Sequence, residues 1–178
     1  MKTKKKMPAC LMFLGLALTA GCRTTSGLDP VSGFELERYL GTWYEAARFP
    51  HRFEKGLTSV SAQYSLNTNG TVKVVNRGYD PEKEKWKEAV GVAKFKDDPN
   101  QGWLKVSFFG PFFATYKIIH LDEDYREAIV TGPNFNYFWI LVRDPATPAS
   151  EIDRLVRMAG EFGFDTNRIE RIEHGQQP

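Results

Sequence analysis

Ser59-Val60-Ser61-Ala62-Gln63-Tyr64-Ser65-Leu66 alternates polar and apolar residues without a break. A period of two puts Val60, Ala62, Tyr64 and Leu66 on one face and the serines and Gln63 on the other, as in a strand buried on one side. The same pattern recurs further on, where Leu104, Val106 and Phe108 alternate with Lys105 and Ser107. From Gly41 to Arg143, aromatic and β-branched runs are divided at a steady spacing by turn chemistry. The dividers are Asn69-Gly70, Asp80-Pro81, Pro99-Asn100 with Gly102, Gly110-Pro111, Asp122-Glu123-Asp124 and Gly132-Pro133-Asn134. With the longer break at 50–57 they make seven gaps, hence eight strands. Short strands in succession, without helices between them, predict an all-β fold: an eight-stranded antiparallel up-and-down barrel.

The eighth strand breaks the alternation. Tyr137-Phe138-Trp139-Ile140-Leu141-Val142 is apolar on both faces, so one face points into the barrel and the other needs a cover. The cover follows at once. Thr147 is an expected N-cap with Pro148 at the first helical position, and Ile152, Leu155, Val156, Ala159 and Phe162 recur at helical spacing before the stop at Gly163. This predicts one C-terminal α-helix packed outside the barrel, followed by a short final strand near Arg168–Glu173.

At the other end, Lys2, Lys4, Lys5 and Lys6 precede an apolar run from Pro8 to Leu18 and the small residues Thr19-Ala20-Gly21. That order is an export signal, and its run of about ten residues is half the ~20 that span a bilayer. Leu18-Thr19-Ala20-Gly21-Cys22 resembles the lipobox of bacterial lipoproteins, with Thr19 where that pattern usually has Leu. The resemblance implies a lipid on Cys22 and, because Arg23 and not Asp follows, an outer-membrane destination. Losing residues 1–21 leaves 157 residues, enough for one domain with a core. It also removes four lysines and no acid, so the net charge of +2 becomes −2 and no basic surplus remains for nucleic acid. Cys10 leaves with the signal and Cys22 is acylated, so no disulfide forms and packing alone supplies stability. Residues 22–33 mix Thr, Ser, Gly, Asp and Pro, the composition of a flexible tether behind the acylated N-terminus.

Gly41-Thr42-Trp43-Tyr44-Glu45 contains Gly-x-Trp, Asp124-Tyr125 sits at the turn into strand seven, and Arg143 ends strand eight. Three such blocks in this order, with eight strands and then a helix, resemble the lipocalins, and most of all the bacterial outer-membrane lipocalins. On that resemblance residues 1–21 are a lipoprotein signal peptide, 22–33 the acylated N-terminus and tether, and 34–178 a lipocalin domain. Physical reasoning independently gives Trp43 and Arg143 a role. A barrel that holds a pocket must be plugged at one end; Trp43 is the largest apolar plug, and a guanidinium on its face adds ~0.5–2 kcal/mol. Gly41, Trp43 and Arg143 are therefore expected to close the barrel and not to meet ligand.

Strand parity nominates the pocket. Trp43 inward brings Glu45, Ala47 and Phe49 to the same side, and the other strands add Val60, Ala62, Tyr64, Val74, Asn76, Phe108, Ala114, Tyr116, Ile118, Tyr137, Trp139 and Leu141. Ala47, Ala62, Ala114 and Gly78 are too small to fill a core, while Glu45, Tyr64, Asn76 and Tyr116 supply a few polar groups among apolar walls, the make-up of a ligand site. An inward Glu45 needs a partner, with Arg48, Arg77 or a tyrosine as candidates. His51-Arg52 and Lys55 in the first loop are candidates to meet an anionic head group at the mouth. His51, His120 and His174 have no metal-ligand spacing, and neither a phosphate loop nor a nucleophile elbow occurs, so no metal, cofactor or catalytic residue is expected.

The residues alone point to an elongated apolar ligand. The resemblance implies a fatty acid or lysophospholipid, stored or transported in membrane maintenance or stress. Expected partners are that lipid, the membrane through Cys22, and a second copy of the chain in a homodimer. Two rivals stand beside this: a lipid- or isoprenoid-modifying enzyme on the same barrel, with Glu45 as its base, and a filled barrel acting as a ligand-free envelope adaptor.

Overall fold

In the computed structural model, which describes residues 24–175, a short helix α1 (Leu36–Tyr39) leads into eight strands. They are β1 (Gly41–Arg48), β2 (Thr58–Leu66), β3 (Val72–Asp80), β4 (Lys85–Phe95), β5 (Trp103–Ser107), β6 (Ala114–Leu121), β7 (Glu127–Thr131) and β8 (Phe138–Val142). Each pairs antiparallel with the next. β1 also pairs with β8, Tyr44 opposite Val142, which closes the barrel. The export signal and Cys22 lie outside the described residues.

The cover expected over β8 is the helix α2 (Ala149–Glu161). Its Ile152, Leu155 and Ala159 are buried against Phe138, Ile140 and Val142, the outer face of β8. Leu141 and Trp139, alternating with them, pack inside. Thr147 does not cap α2; its hydroxyl donates to Asp144 O, and Pro148 occupies the cap position. The stop is as expected: Gly163 has φ +90°, Gly163 N donates to Gly160 O and Phe164 N to Ala159 O, the paired bonds that end a helix at a left-handed glycine. A final strand β9 (Glu170–Arg171) pairs with β1.

The topology separates two ends. The connections 49–57, 81–84, 108–113 and 132–137 gather at one, and 67–71, 96–102 and 122–126 at the other, with α1 beneath them. Leu66, expected inward, ends β2 where the hairpin begins and is 53% exposed.

Residues 24–33 are not the free tether their composition implied. Thr24 is bridged to Asn134 and Ser32 to Gln101, so the segment runs along the outside of the barrel from one end to the other. Lys117, on the outer face of β6, holds it: Nζ donates to Thr25 O at 2.9 Å and Leu28 O at 2.8 Å, and lies 4.3 Å from the Trp103 ring centroid. Hydrogen bonds from a charged donor contribute ~1.5–3 kcal/mol. Lys117→Met should therefore leave the barrel intact while the amides of Thr25 and Val31 exchange roughly tenfold faster or more. Unchanged exchange would mean the segment is held elsewhere.

Candidate functional site

Trp43 is fully buried at the end carrying α1, and its Nε1 donates to Tyr39 O at 2.8 Å. The Arg143 guanidinium lies over it, Cζ 4.0 Å from the ring centroid. Its nitrogens donate to three carbonyls: Nε to Tyr125 O, Nη1 to Thr42 O and Nη2 to Arg38 O, at 3.2, 2.9 and 2.8 Å. Gly41 has φ +93°, a conformation that disfavours any side chain, and a Cβ there would also crowd Arg143 Nη1 at 3.3 Å. Tyr125 reinforces the plug, its hydroxyl accepting from Glu35 N at 2.8 Å.

Above this floor, Ala62, Tyr64, Val74 and Ile118 are buried inside the barrel, with Val106, Phe108, Tyr116 and Trp139 partly buried against them. Tyr116 OH bonds Tyr39 OH at 2.7 Å and Tyr64 OH at 2.9 Å. Burial pushes all three phenols well above their ordinary range, so they are neutral hydroxyls. Val60 is buried against the side of Gly78, and Asn76 Oδ1 is buried without a protein partner. Further up, solvent reaches inward positions: Ala89, opposite Asn76, and Ala114, opposite Val106, are both exposed. The interior is thus packed with side chains above the floor, and its inward positions become exposed toward the open end.

Near the open end a charged cluster is buried. Glu45 is paired with Arg48, Oε2 to Nη1 at 2.9 Å, so Arg48 is the partner among the three candidates. Arg48 Nη2 also donates to Glu54 O and Leu57 O, at 2.6 and 3.3 Å, and Trp139 Nε1 donates to Glu54 Oε2 at 3.3 Å. One guanidinium thus holds the Glu45 carboxylate and the Glu54 main-chain carbonyl, with the Glu54 carboxyl close enough to feel its charge. Burial raises both carboxyls, against the pull of Arg48; Glu54, which also feels the Glu45 charge, is pushed up to about 8. His51 is buried between Trp139, Tyr137 and Phe53, with ring centroids at 4.7, 5.2 and 5.4 Å. Burial, with the charges of Arg48 and Arg168, lowers it to about 4. It is neutral at neutral pH and cannot be the head-group cation that Arg52 and Lys55 remain free to be.

Two cavity candidates change sides. Ala47 and Phe49 are fully buried in the outer layer under α2, the Phe49 ring tilted against Phe138 with centroids 5.2 Å apart. The β1–β8 register shifts between Glu45 and Ala47, and that bulge inverts the parity beyond it. Arg48 turns inward as a result. Tyr137 precedes β8 and lies on the rim. Glu54, Tyr39 and Ala89 are interior groups the parity argument did not reach; Glu54 sits in a loop with no periodicity, and Tyr39 in a helix too short to read.

The lipocalin-like domain model matches residues 34–174. Outer membrane lipoprotein Blc of Vibrio cholerae is 47% identical over 165 residues, covering 92% of this chain and 96% of that protein. Outer membrane lipoprotein Blc of Escherichia coli K12 is 46% identical over 143 residues, covering 80% and 81%. Among solved structures, insecticyanin from the tobacco hornworm Manduca sexta aligns with TM-score 0.68 at 17% identity, over 84% of this chain and 85% of that one, a likeness of fold alone.

Proposed function

This chain belongs to the lipocalin family, and from that premise we propose that it binds one single-chain lipid in the barrel, a fatty acid or lysophospholipid. It stores or carries that lipid as an outer-membrane lipoprotein in membrane maintenance or stress. What supports this reading is a barrel with apolar inward residues, a floor sealed at Trp43, and small inward residues, Ala89 and Ala114, exposed toward the open end. The tail lies toward the tyrosine hydroxyls and the head group near Arg52 and Lys55 at the mouth. The enzyme reading needed a free Glu45, and that carboxylate is held by Arg48.

About fourteen buried methylenes gain ~0.8 kcal/mol each, roughly 11 kcal/mol gross. Association and chain ordering take back several kcal/mol or more, leaving a micromolar to high-nanomolar site. Trp139 should report it, since Trp43 is sealed in the floor while Trp86 and Trp103 stack on Arg77 and Lys96 outside. Delipidated protein should give a saturable fluorescence change with palmitate or a lysophospholipid and little with a short-chain acid. Trp139→Ala should weaken binding with the fold intact. No change in fluorescence or melting temperature with any such lipid would defeat the carrier reading.

The anchor is a lipid on Cys22. Cys22→Ser should yield a soluble or uncleaved form, and unchanged partition into detergent would contradict acylation.

A further inference from the structure

The path of the first described residues tells where the anchor leaves the barrel. Thr24, two residues after Cys22, is bridged to Asn134 in the 132–137 connection at the open end. Thr25 N donates to Pro133 O and Thr25 Oγ1 to Gly132 O, fixing the start of the segment there. Two residues of extended chain span about 7 Å. A lipid on Cys22 therefore keeps the open end, and not the plugged end, against the bilayer.

That end is also the apolar one. Phe109 is 84% exposed, Phe112 81%, Phe53 65% and Phe113 40%. The first, second and fourth belong to the connection after β5 and Phe53 to the one after β1; those strands lie across an eight-strand ring from each other, so the rings stand on opposite sides of the mouth. The other exposed large apolar residues, Leu66 and Val90, are single and lie away from it. Exposed aromatic clusters mark contact surfaces, whereas scattered residues do not.

Charge agrees with position. The connections 108–113 and 132–137 carry no charged residue, the exposed charges of 49–57 are Arg52 and Lys55, and 81–84 adds Lys83 with Glu82 and Glu84. The opposite end presents Asp97-Asp98 and Asp122-Glu123-Asp124 against Lys96 and Arg126. An anionic phospholipid surface therefore favours the first end over the second.

We propose that the mouth of the barrel is a bilayer-docking surface. Phe53, Phe109 and Phe112 enter the interfacial layer of the membrane that holds Cys22, and Arg52 and Lys55 meet its anionic head groups. A lipid then passes between bilayer and barrel without crossing water. This rests on the reading of the chain as an acylated lipid carrier.

The test uses acylated protein in vesicles of phosphatidylethanolamine and phosphatidylglycerol. The mature chain has no free thiol once Cys22 is acylated, so Phe112→Cys and Asp98→Cys each take one environment-sensitive fluorophore. The probe at 112 should be quenched by nitroxide on the acyl chains and shielded from aqueous iodide, and the probe at 98 the reverse. In unlabelled protein, Phe109→Asp/Phe112→Asp should slow transfer of a fluorescent fatty acid from vesicles at least tenfold and leave affinity in solution unchanged. A probe at 112 that stays in water, or an unchanged transfer rate, overturns the docking. If lysophospholipid binding is intact in that case, the carrier reading survives. A probe at 112 in lipid, in protein that binds no lysophospholipid, supports the docking and defeats the carrier.

Discussion

Replacing Trp43 by alanine should cost about 3–5 kcal/mol of stability and lower the melting temperature by roughly 6–20 °C. The ring is fully buried, so nothing can relax into its place from solvent, and its loss also frees Tyr39 O and removes the face under Arg143. Arg143→Ala should cost less, because its carbonyl partners Tyr125, Thr42 and Arg38 lie near the surface where water can replace the donor. The two changes should not add. A double-mutant cycle should return a coupling of ~0.5–2 kcal/mol, the range of a cation resting on an aromatic face. Full additivity would mean that the two groups do not support each other.

Arg48→Met should be as costly, by a different route. It leaves Glu45 and Glu54 buried without a cation, and removing one partner of a buried charged set costs about 3–5 kcal/mol. The loss should depend on pH. Glu54 titrates near 8 in the folded protein against its ordinary 4.5, so the folded state holds the extra proton between those values. Its contribution to stability is therefore full below about 4.5 and is lost as pH rises through about 8. His51 works in the opposite direction: lowered from 6.5 to about 4, it adds stability as pH rises across that interval. From 6.5 to 8 the buried carboxyls act without that offset, and urea midpoints of the native protein should fall there. Glu54→Gln should flatten that fall and Arg48→Met should steepen it. An Arg48→Met deficit equal at pH 5 and pH 8 would show that the guanidinium serves packing and not the titration of the buried carboxyls.

The barrel was legible because its strands are half-buried and their turns carry Asn-Gly, Asp-Pro and Gly-Pro chemistry. Both signals are local, and they need no knowledge of what packs where. The helix was legible for a less local reason: an apolar strand face at Phe138, Ile140 and Val142 demands a partner, and the stripe after Pro148 is the next available one. Parity failed where the backbone departed from a period of two. The bulge between Glu45 and Ala47 leaves no mark in a sequence that reads Ala46-Ala47, two residues indifferent to either face. Everything beyond it changed sides, so Phe49 went to the outer layer and Arg48 came in. His51 and Glu54 lie in a connection whose path is set by Arg48 donating to its carbonyls, a long-range choice that composition cannot show. The same holds for residues 24–33. Their composition is that of a linker, but Lys117 on a strand's outer face provides the donor that their carbonyls need.

Native mass spectrometry of protein extracted from the outer membrane in mild detergent tests the lipid-carrying barrel. The expected spectrum contains a population heavier than the acylated chain by the mass of one fatty acid or one lysophospholipid. That increment should disappear on delipidation and return when palmitate or lysophospholipid is added. Bare acylated chain before and after such addition would contradict a lipid site in the barrel.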